Sequence, residues 1–398
     1  MNELLKPEVL QILDSLPDYD EKLIFSQTSE LRKQGLSAEL VAAILTQSRL
    51  RTKAKIKFGN QAQQMLFTPD GLEQATRPIV TAKHAQRYVA ADCRRVADLT
   101  CGIGADSQGF AAAGLQVLSV DIDPVTAEIA KWNLKNATAE VVCGDGLQVA
   151  SDNAANLDGV FADPARRSTE RKGKREQIYD PAAYLPPLGE VIVLQQKIPA
   201  LGIKVAPVIP HDAVPPGVEA QWVSVNGEVV ECGLWFGPLA QNGIGRTALL
   251  IRTKGKTGHR TVIELNQRDI EVGEIGKYIF EPDGAIIRAG LLATAAQLLT
   301  ARQLDSDIAY LTGNELEIAE VPIATSYQML DVLPFSVKLL KAYLRERNVG
   351  RVTIKKRGIA ITPEQLRPQL ALRGENEATL ILTRIKGKQS VLVVSPIS

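Results

Sequence analysis

Three carboxylates follow three consecutive short apolar runs in the middle of the chain. Asp98 lies in VADLTCGIG, Asp121 follows LSV, and Asp145 follows AEVVC. Gly102 and Gly104 follow the first acid by four and six residues, and glycines without a Cβ let the backbone pack closely against a ligand. An acid at the tip of the next strand, about twenty residues on, accepts both hydroxyls of a ribose in nucleotide-binding sheets. This order predicts a site for a nucleoside-containing ligand.

Two templates for a nucleotide-binding turn can be compared with VADLTCGIGADSQGF. The dinucleotide fingerprint G-x-G-x-x-G requires a third glycine where Ser107 stands, so NAD is disfavoured. The stretch instead resembles the D-x-x-x-G-x-G turn of class I S-adenosylmethionine-dependent methyltransferases. The resemblance implies S-adenosylmethionine as the cofactor, with these residues in contact with it: Asp98, Cys101, Gly102, Gly104, Asp121, Ile122, Asp145 and Gly146. In that family the acid at Asp121 meets the ribose and the acid at Asp145 meets the adenine amino group.

A nearby acid is expected to have a structural role, and the three acids of the site have an alternative interpretation. Asp123 is expected to be the N-cap of the helix that begins at Pro124, because Asp is a favoured N-cap and Pro a favoured first helical residue. The alternative for the three acids themselves is that they are ordinary turn aspartates.

A fourth apolar run ends in Asp163-Pro164-Ala165-Arg166. Members of this superfamily that methylate amino groups have Asp, Asn or Ser here, then Pro-Pro, then an aromatic residue. A carboxylate and a backbone carbonyl that accept the N–H bonds of an exocyclic amine turn its lone pair toward the methyl group, so catalysis is mainly positioning. Asp163, Pro164 and Arg166 are therefore the predicted catalytic residues. Ala165 and Arg166 depart from the pattern, although a guanidinium can stack on a base or pair with a phosphate.

A dense basic segment continues this motif. Its cations are predicted to form a loop at the mouth of the site that suits an anionic substrate, and they are Arg166, Arg167, Arg171, Lys172, Lys174 and Arg175. A solvated loop without a ligand is the alternative.

The order FTPDGLEQAT, DLTCGIGADSQGFA, VDIDP, CGDGLQV and FADPARR is similar to trimethylguanosine synthase and to bacterial guanine-N2 RNA methyltransferases. More closely, the chain resembles bacterial methyltransferases that carry a C-terminal THUMP-like domain, on LPFSVKLLKAYLRERNVGRVTIKKRG and ATLILTR. By analogy Thr68, Glu73, Gln74 and Thr76 would lie beside the cofactor, and Thr76 is the one assigned to its binding. The family implies modification of RNA, such as tRNA or rRNA.

The elements that must position these residues follow from periodicity. Apolar spacing of three and four predicts helices up to about Lys83, with Gly35 as a stop and Ser37 as an N-cap. From Arg95, strands alternate with helices, which predicts an α/β fold with a Rossmann-like, doubly wound sheet. Beyond Lys204 the strand-like runs QWVSV, EVVECGLWF and TALLIRT look antiparallel. AGLLATAAQLLTARQL predicts one long helix. Residues 334–398 then predict a small α+β module with the order helix, strand (RVTIKK), helix and two strands (ATLILTRI, SVLVVS).

Four domains result from this interpretation. They are an N-terminal helical domain (1–83), a class I methyltransferase domain (84–255), a connecting segment with the long helix (256–330) and a THUMP-like α+β domain (331–398).

Composition limits the remaining possibilities. No run approaches the roughly 20 apolar residues that span a bilayer, and the N-terminus has no apolar signal region, so a soluble cytoplasmic protein without a membrane partner is expected. The four cysteines form no C-x-x-C pair and there are three histidines, which argues against a metal site or disulfides. Reduced, structural thiols are expected, and no cysteine is predicted to act as a nucleophile.

Charge is segregated along the chain although the net charge is +1. Residues 338–398 hold 13 Lys/Arg against 4 Asp/Glu, and residues 281–331 hold 8 acids against 2 bases. A basic block is a usual footprint for nucleic acid, and Lys355, Lys356 and Arg357 are the predicted phosphate contacts. Plain solubility is the alternative.

The sequence thus predicts an S-adenosylmethionine-dependent methyltransferase that acts on RNA, at a base nitrogen similar to guanine N2. The alternatives are a methyltransferase for small molecules or proteins, and a noncatalytic RNA-binding protein that keeps the cofactor fold.

Overall fold

The computed structural model describes residues 3–166, 170–171, 174–175, 184–255, 257–265, 269–317 and 319–397. Contacts divide the chain into two units. The first contains residues 1–205, 210–218 and 234–241, and the second contains 206–209, 219–233 and 242–398.

The first unit begins with helices and continues as alternating strands and helices. Its helices are α1 (Pro7–Ser15), α2 (Ile24–Lys33), α3 (Ala38–Phe58), α4 (Pro69–Gln74), α5 (Pro78–Ala90), α6 (Ala105–Ala112), α7 (Pro124–Asn133), α8 (Gly146–Asp152) and α9 (Leu188–Val193). Its strands are β1 (Arg95–Asp98), β2 (Gln116–Asp121), β3 (Ala139–Cys143), β4 (Gly159–Ala162), β5 (Ala165–Arg166), β6 (Glu170–Arg171), β7 (Lys174–Arg175), β8 (Tyr184–Leu185) and β9 (Ala200–Val205).

Local signals explain where the N-terminal helices begin and end. The Ser37 hydroxyl accepts a hydrogen bond from Leu40 N at 3.1 Å, which makes it the N-cap of α3 as predicted. Gly35 has φ +84 after the end of α2, a conformation that glycine adopts without strain. Arg51 of α3 is buried and pairs with Asp14 of α1 at 2.6 Å.

Five parallel strands of the first unit form the doubly wound sheet that alternation predicts, in the order β9-β4-β1-β2-β3. The order reverses between β1 and β4, which is the topological switch point where open α/β sheets bind ligands at the carboxyl ends of their strands. Phe110 and Phe161 pack edge-to-face at 5.4 Å in the core around these strands.

The second unit is richer in strands. Its elements are β10 (Glu219–Val225), β11 (Glu228–Trp235), which ends in the first unit, β12 (Gly245–Arg252), β13 (Gly258–Ile263), β14 (Tyr278–Pro282), α10 (Gly284–Arg288), α11 (Leu292–Leu298), β15 (Arg302–Asp305), β16 (Ile308–Gly313), β17 (Ala324–Pro334), α12 (Val337–Glu346), β18 (Val349–Lys356), α13 (Pro363–Leu370), β19 (Asn376–Ile385) and β20 (Lys388–Pro396).

Two predictions for this unit are wrong. Strands β10 and β12, taken from the sequence as antiparallel, pair in parallel. The single long helix predicted over residues 289–304 is instead one short helix and a strand: Gly290 at φ +70 separates α10 from α11, Thr300 at φ +49 follows α11, and β15 then pairs with β16. The apolar spacing favours a helix throughout this segment, but its last residues pair with β16 in the sheet instead.

The C-terminal module confirms the predicted order of helix, strand, helix and two strands. Its strands belong to a seven-stranded sheet with the order β15-β16-β14-β17-β20-β19-β18. One apolar cluster joins Leu340, Leu344, Leu366 and Leu370 of α12 and α13 to this sheet. A second cluster, which includes Ile279, Tyr310 and Tyr327, involves β14, β16 and β17.

Candidate active site

A cavity of about 240 Å³ lies at the carboxyl ends of the parallel strands of the first unit. The turn after β1, the tips of β2 and β3, and the residues just after β4 line it, together with the end of α4 and residues 185–186. Eight predicted site residues line it: Thr76, Cys101, Gly102, Asp121, Ile122, Asp145, Gly146 and Asp163.

The turn after β1 is fixed by glycine and by hydrogen bonds. Gly102 and Gly104 have φ values of +54 and +88, which side chains rarely adopt. A Cβ on Gly104 would lie 3.1 Å from Leu134 Cγ. Cys101 is buried in this turn, and burial, with the nearby Asp98 and Asp121, raises the pKa of its thiol well above the ordinary value. Its thiol is therefore protonated at neutral pH.

Asp121 is fixed by the backbone around it. Its Oδ2 accepts a hydrogen bond from Gly102 N at 3.0 Å, and its Oδ1 accepts one from Asp123 N at 2.9 Å. Burial raises the pKa of Asp121 against the effect of these bonds. Ile122 beside it is 68% exposed, which gives the rim an apolar side chain. Asp123 caps α7 by accepting a bond from Thr126 N at 2.8 Å, as predicted.

Asp145 lines the cavity and also caps a helix. Its Oδ1 accepts hydrogen bonds from Leu147 N at 2.9 Å and Gln148 N at 3.2 Å, so it is the N-cap of α8. A Cβ on the next residue, Gly146, would lie 2.3 Å from Leu99 O. The close approach of α8 to the turn after β1 therefore requires glycine at this position.

Asp163 meets a lysine that the sequence interpretation missed. Its carboxylate pairs with Lys204 Nζ of β9, and its backbone N–H donates to Thr100 Oγ1 at 2.7 Å. Lys204 also donates to Thr76 Oγ1 at 2.9 Å. Pro164 is buried, and Ala165 follows it in the cavity wall.

A buried acid, Asp106, also lines the cavity and contacts Thr76. Asp106 Oδ2 accepts a bond from Thr76 Oγ1 at 2.7 Å, and Asp106 Oδ1 lies 2.8 Å from His84 Nδ1. Burial alone would raise the pKa of Asp106, but the hydrogen bond and charge of His84, the charge of Lys204 and the bond from Thr76 hold it below the ordinary value. A hydrogen-bonded series thus runs from His84 to Asp163 across α5, α6 and β9. Of its members, only Asp163, from its motif, and Thr76, by analogy, were assigned from the sequence.

Asp98 and Gly104 belong to the turn, but neither is among the described residues that line the cavity. Asp98 is buried behind the wall, where its Oδ2 accepts a bond from Ser107 Oγ at 2.7 Å and Ser119 Oγ donates to Ser107 at 2.8 Å. Burial, together with Asp106 and Asp163, raises the pKa of Asp98 to about 8. Its Oδ1 has no hydrogen-bond partner within the described part of the chain.

The predicted substrate contacts divide into two groups. Arg167 and Lys172 lie outside the described residues. For Arg166 and Arg171 only the backbone is described: Arg166 pairs with Tyr184 between β5 and β8, and Arg171 pairs with Lys174 between β6 and β7.

The second group lies on or next to β18, in the second unit. Lys355 pairs with Glu281, and Lys356 Nζ is 3.4 Å from Ala360 O. Arg357 donates to Ala309 O at 3.2 Å and lies 5.1 Å from the ring centre of Tyr310. All three cations therefore have partners inside the second unit.

The described residues contain neither a cluster of metal-binding side chains nor a membrane-spanning helix. In that part of the chain, no three His, Cys, Asp or Glu side chains converge as a metal site would require. The same residues include no helix with the length and hydropathy needed to cross a membrane.

Comparison with known proteins places these features in context. Residues 324–396 match the family described as THUMP domain-like, and residues 1–54 match a domain of unknown function, DUF8688. An uncharacterised S-adenosylmethionine-dependent methyltransferase of Mycobacterium tuberculosis strain CDC 1551 is 33% identical over 346 residues, which cover 84% of this chain and 90% of the relative. Its counterpart in strain H37Rv matches equally.

One solved structure shares the fold over nearly the whole chain. The crystal structure of a proposed methyltransferase from Porphyromonas gingivalis W83 has a TM-score of 0.75 and 22% identity, and the match covers 96% of this chain and 100% of that one.

Proposed function

Because the chain belongs to the S-adenosylmethionine-dependent methyltransferases, we propose that it methylates RNA at an exocyclic base nitrogen, as in guanine-N2 methylation. The observation that carries this proposal is the convergence of Asp121, Asp145 and Asp163 on one cavity, each placed at or just after the end of a parallel strand. Each acid is assigned a separate role: Asp121 and Asp145 bind the cofactor, and Asp163 orients the substrate amine.

The cavity fits the cofactor in its donor set. S-adenosylmethionine supplies the methyl group as an activated sulfonium. We assign the ribose hydroxyls to Asp121, whose carboxylate is already oriented by two backbone N–H groups. Ile122 supplies an apolar contact for the adenine, and Asp145 accepts from its amino group. The left-handed Gly102 leaves its side of the wall without a Cβ, and nothing lies within 4 Å of the position that a Cβ would take.

Asp163 is the residue assigned to the reaction itself. Its carboxylate accepts an N–H of the substrate amine, and the carbonyl of Pro164 accepts the other, which turns the nitrogen lone pair toward the cavity. Lys204 pairs with this carboxylate and holds a positive charge in contact with it. The proton that the amine loses after methylation passes to solvent.

Two observations support RNA as the substrate class. The THUMP domain-like match falls in a region where bases exceed acids 13 to 4 over residues 338–398. The basic segment 166–175 follows Asp163 directly in the chain, and we assign Arg166, Arg167, Arg171 and Lys172 to the RNA. A cytoplasmic location accompanies this proposal. A substrate that is a protein or a small molecule is the competing possibility.

The experiment combines labelled cofactor with total RNA from a strain that lacks the gene, followed by mass spectrometry of the nucleosides. We expect wild-type protein to introduce one methylated nucleoside that is absent from the starting RNA. Asp163→Ala should bind S-adenosylmethionine within about twofold of wild type but lose about two to three orders of magnitude in rate, as loss of one positioned transition-state partner does.

Asp152→Ala is the matched control, since Asp152 lies at the exposed end of α8 and accepts a bond from Gln148 at 2.9 Å. It should keep the full rate. Label in protein or in small molecules but not in RNA would refute RNA as the substrate. A full rate in folded, cofactor-binding Asp163→Ala would refute the catalytic assignment.

A further inference from the structure

We propose that the C-terminal module contacts the phosphates of RNA through the outer face of α12, and that the cations of β18 are not its main contacts. This inference rests on the proposed function and adds the surface that holds the RNA. The α12 basic face is formed by Lys338, Lys341 and Arg345.

The spacing of these cations places them on one side of the helix. Positions i, i+3 and i+7 share a helix face, with a rise of about 4.5 Å and then about 6 Å along the axis. All three side chains are exposed, whereas Leu340 and Leu344 on the opposite side are 1% and 0% exposed and join the core. The sheet therefore fixes the helix orientation and leaves the cations facing solvent.

The α12 basic face is not neutralised by the module itself. Within the described residues, none of its three side chains makes an ion pair or hydrogen bond through its charged end. The acid closest to it in sequence, Glu346, lies 3.8 Å from Arg347. Arg347 in turn stacks over Tyr343 at 3.5 Å and approaches Asp331 at 4.0 Å. The carboxylates of Glu346 and Asp331 thus both lie near Arg347.

The β18 cations differ in this respect. Lys355 pairs with Glu281 in a partly buried position, and Arg357 donates to a backbone carbonyl of β16. Burial lowers the pKa of Lys355, but its bonds to Glu281 and Tyr327 outweigh this and raise it. To contact a phosphate these side chains would first have to leave their partners, whereas the α12 cations need to release only water and counterions.

A phosphate backbone is the partner that this chemistry fits. Two lysines act as point charges toward phosphate and one arginine can bind it through two N–H groups. Such contacts position a nucleic acid without reading its sequence. An acidic protein would be bound through the same charges, and the experiment separates the two.

The experiment measures binding of bulk tRNA to the full-length protein across a range of salt concentrations. The variant K338Q/K341Q/R345Q removes three charges from the α12 basic face, and K355Q/K356Q/R357Q removes the same number from β18. The binding constant K falls as the salt concentration rises. Each lost phosphate contact makes the slope of log K against the logarithm of the salt concentration less steep by about 0.7 to 0.9. We expect the α12 variant to lower the slope by about 2 to 3 and the β18 variant to lower it by less than 1.

Controls separate charge from folding. K338R/K341R keeps the charges and should keep the wild-type slope, and melting temperatures show whether each variant is folded. A larger slope change in the β18 variant than in the α12 variant, with both folded, overturns the inference while RNA binding stands. Wild-type protein that binds bulk tRNA without salt dependence, or binds an acidic polypeptide equally well, overturns the RNA proposal together with it.

Discussion

Asp121 is held by two backbone N–H groups at the cavity wall, so its orientation does not depend on a ligand. Asp121→Ala should weaken S-adenosylmethionine binding at least tenfold, because hydrogen bonds to a charged acceptor contribute about 1.5 to 3 kcal/mol each. Titration calorimetry measures the effect. Asp123→Ala, two residues away at the exposed cap of α7, is the matched control and should keep the affinity within about twofold. Equal affinity in both variants would contradict the ribose assignment.

Asp98 gives the folded protein a pH-dependent stability. Its pKa is about 8 in the fold and about 4 in an unfolded chain, so between these values the folded state keeps a proton that the unfolded state releases. The resulting contribution is complete below pH 4 and is lost as the pH rises through 8. Asp98→Asn cannot lose that proton, so its melting temperature relative to wild type should rise as the pH increases from about 5 to about 8 and then level off. A constant difference between the two melting curves would argue against a raised pKa.

At the residue scale, acids that follow a recognisable strand or turn could be predicted from the sequence. Their partners that are distant in the chain could not. The turn from Asp98 to Gly104, with Asp121 and Asp145, could be located because each acid follows its own strand. Lys204, Asp106 and His84 carry no motif, since their meeting depends on how β9, α6 and α5 pack. Asp163 could therefore be assigned to the site from the sequence, but its partner Lys204 could not.

At the scale of elements, α3 supports the cavity through one side chain. Lys57 Nζ donates to the carbonyls of Leu72, Glu73 and Ala75 at 2.8, 2.9 and 2.6 Å, which satisfies carbonyls at the end of α4. The residues after α4, Ala75 and Thr76, line the cavity. The N-terminal helices thus help to fix one wall of the site.

Lys57→Met should therefore weaken S-adenosylmethionine binding by about tenfold, because the three carbonyls lose a shared cationic donor. Lys53→Met, on the exposed side of the same helix, is the control and should bind as wild type. Lys57→Arg should restore most of the affinity. A purely structural role would lower only the melting temperature, so unchanged affinity at a temperature where Lys57→Met is folded would contradict the positioning role.

Helices were predicted well where apolar periodicity and capping residues agree. The direction of strand pairing was predicted poorly, because it depends on which strands meet in the sheet. Ser37, Gly35 and Asp123 mark helix ends by local chemistry, and all three predictions are confirmed. The parallel pairing of β10 with β12 depends on a partner that is distant in the chain, and no pattern in either strand encodes its direction.

At the scale of the whole molecule, the division at 83/84, 255/256 and 330/331 stays a proposal. The last boundary falls within β17, whose neighbours are β14 on one side and β20 on the other. The family match begins at residue 324, the first residue of this strand. The segment from 278 and the C-terminal module therefore share one sheet, and the α+β content was predictable although this connection was not.

A chain truncated after Leu330 should be markedly less stable than the full chain. It loses β20, which pairs with β17, and exposes Tyr327, which is 2% exposed in the intact protein and packs in one cluster with Leu392 and Val394. Burial of one such side chain contributes about 1.5 to 3 kcal/mol, so the loss of several exceeds ordinary domain stability. Thermal unfolding and light scattering measure the change. A truncated chain with the full melting temperature would support residues 331–398 as an independent domain.

The short pairing between β5 and β8 bears on how the chain tolerates changes of length. Ala165 pairs with Leu185 and Arg166 with Tyr184, so the chain leaves the cavity rim and returns to it across one antiparallel ladder. Because the ends of the intervening segment are already held together, lengthening or shortening it changes loop-closure entropy only slowly. A change in the number of residues between Arg166 and Tyr184 should therefore leave this pairing intact, together with the part of the cavity wall that Ala165 and Leu185 form.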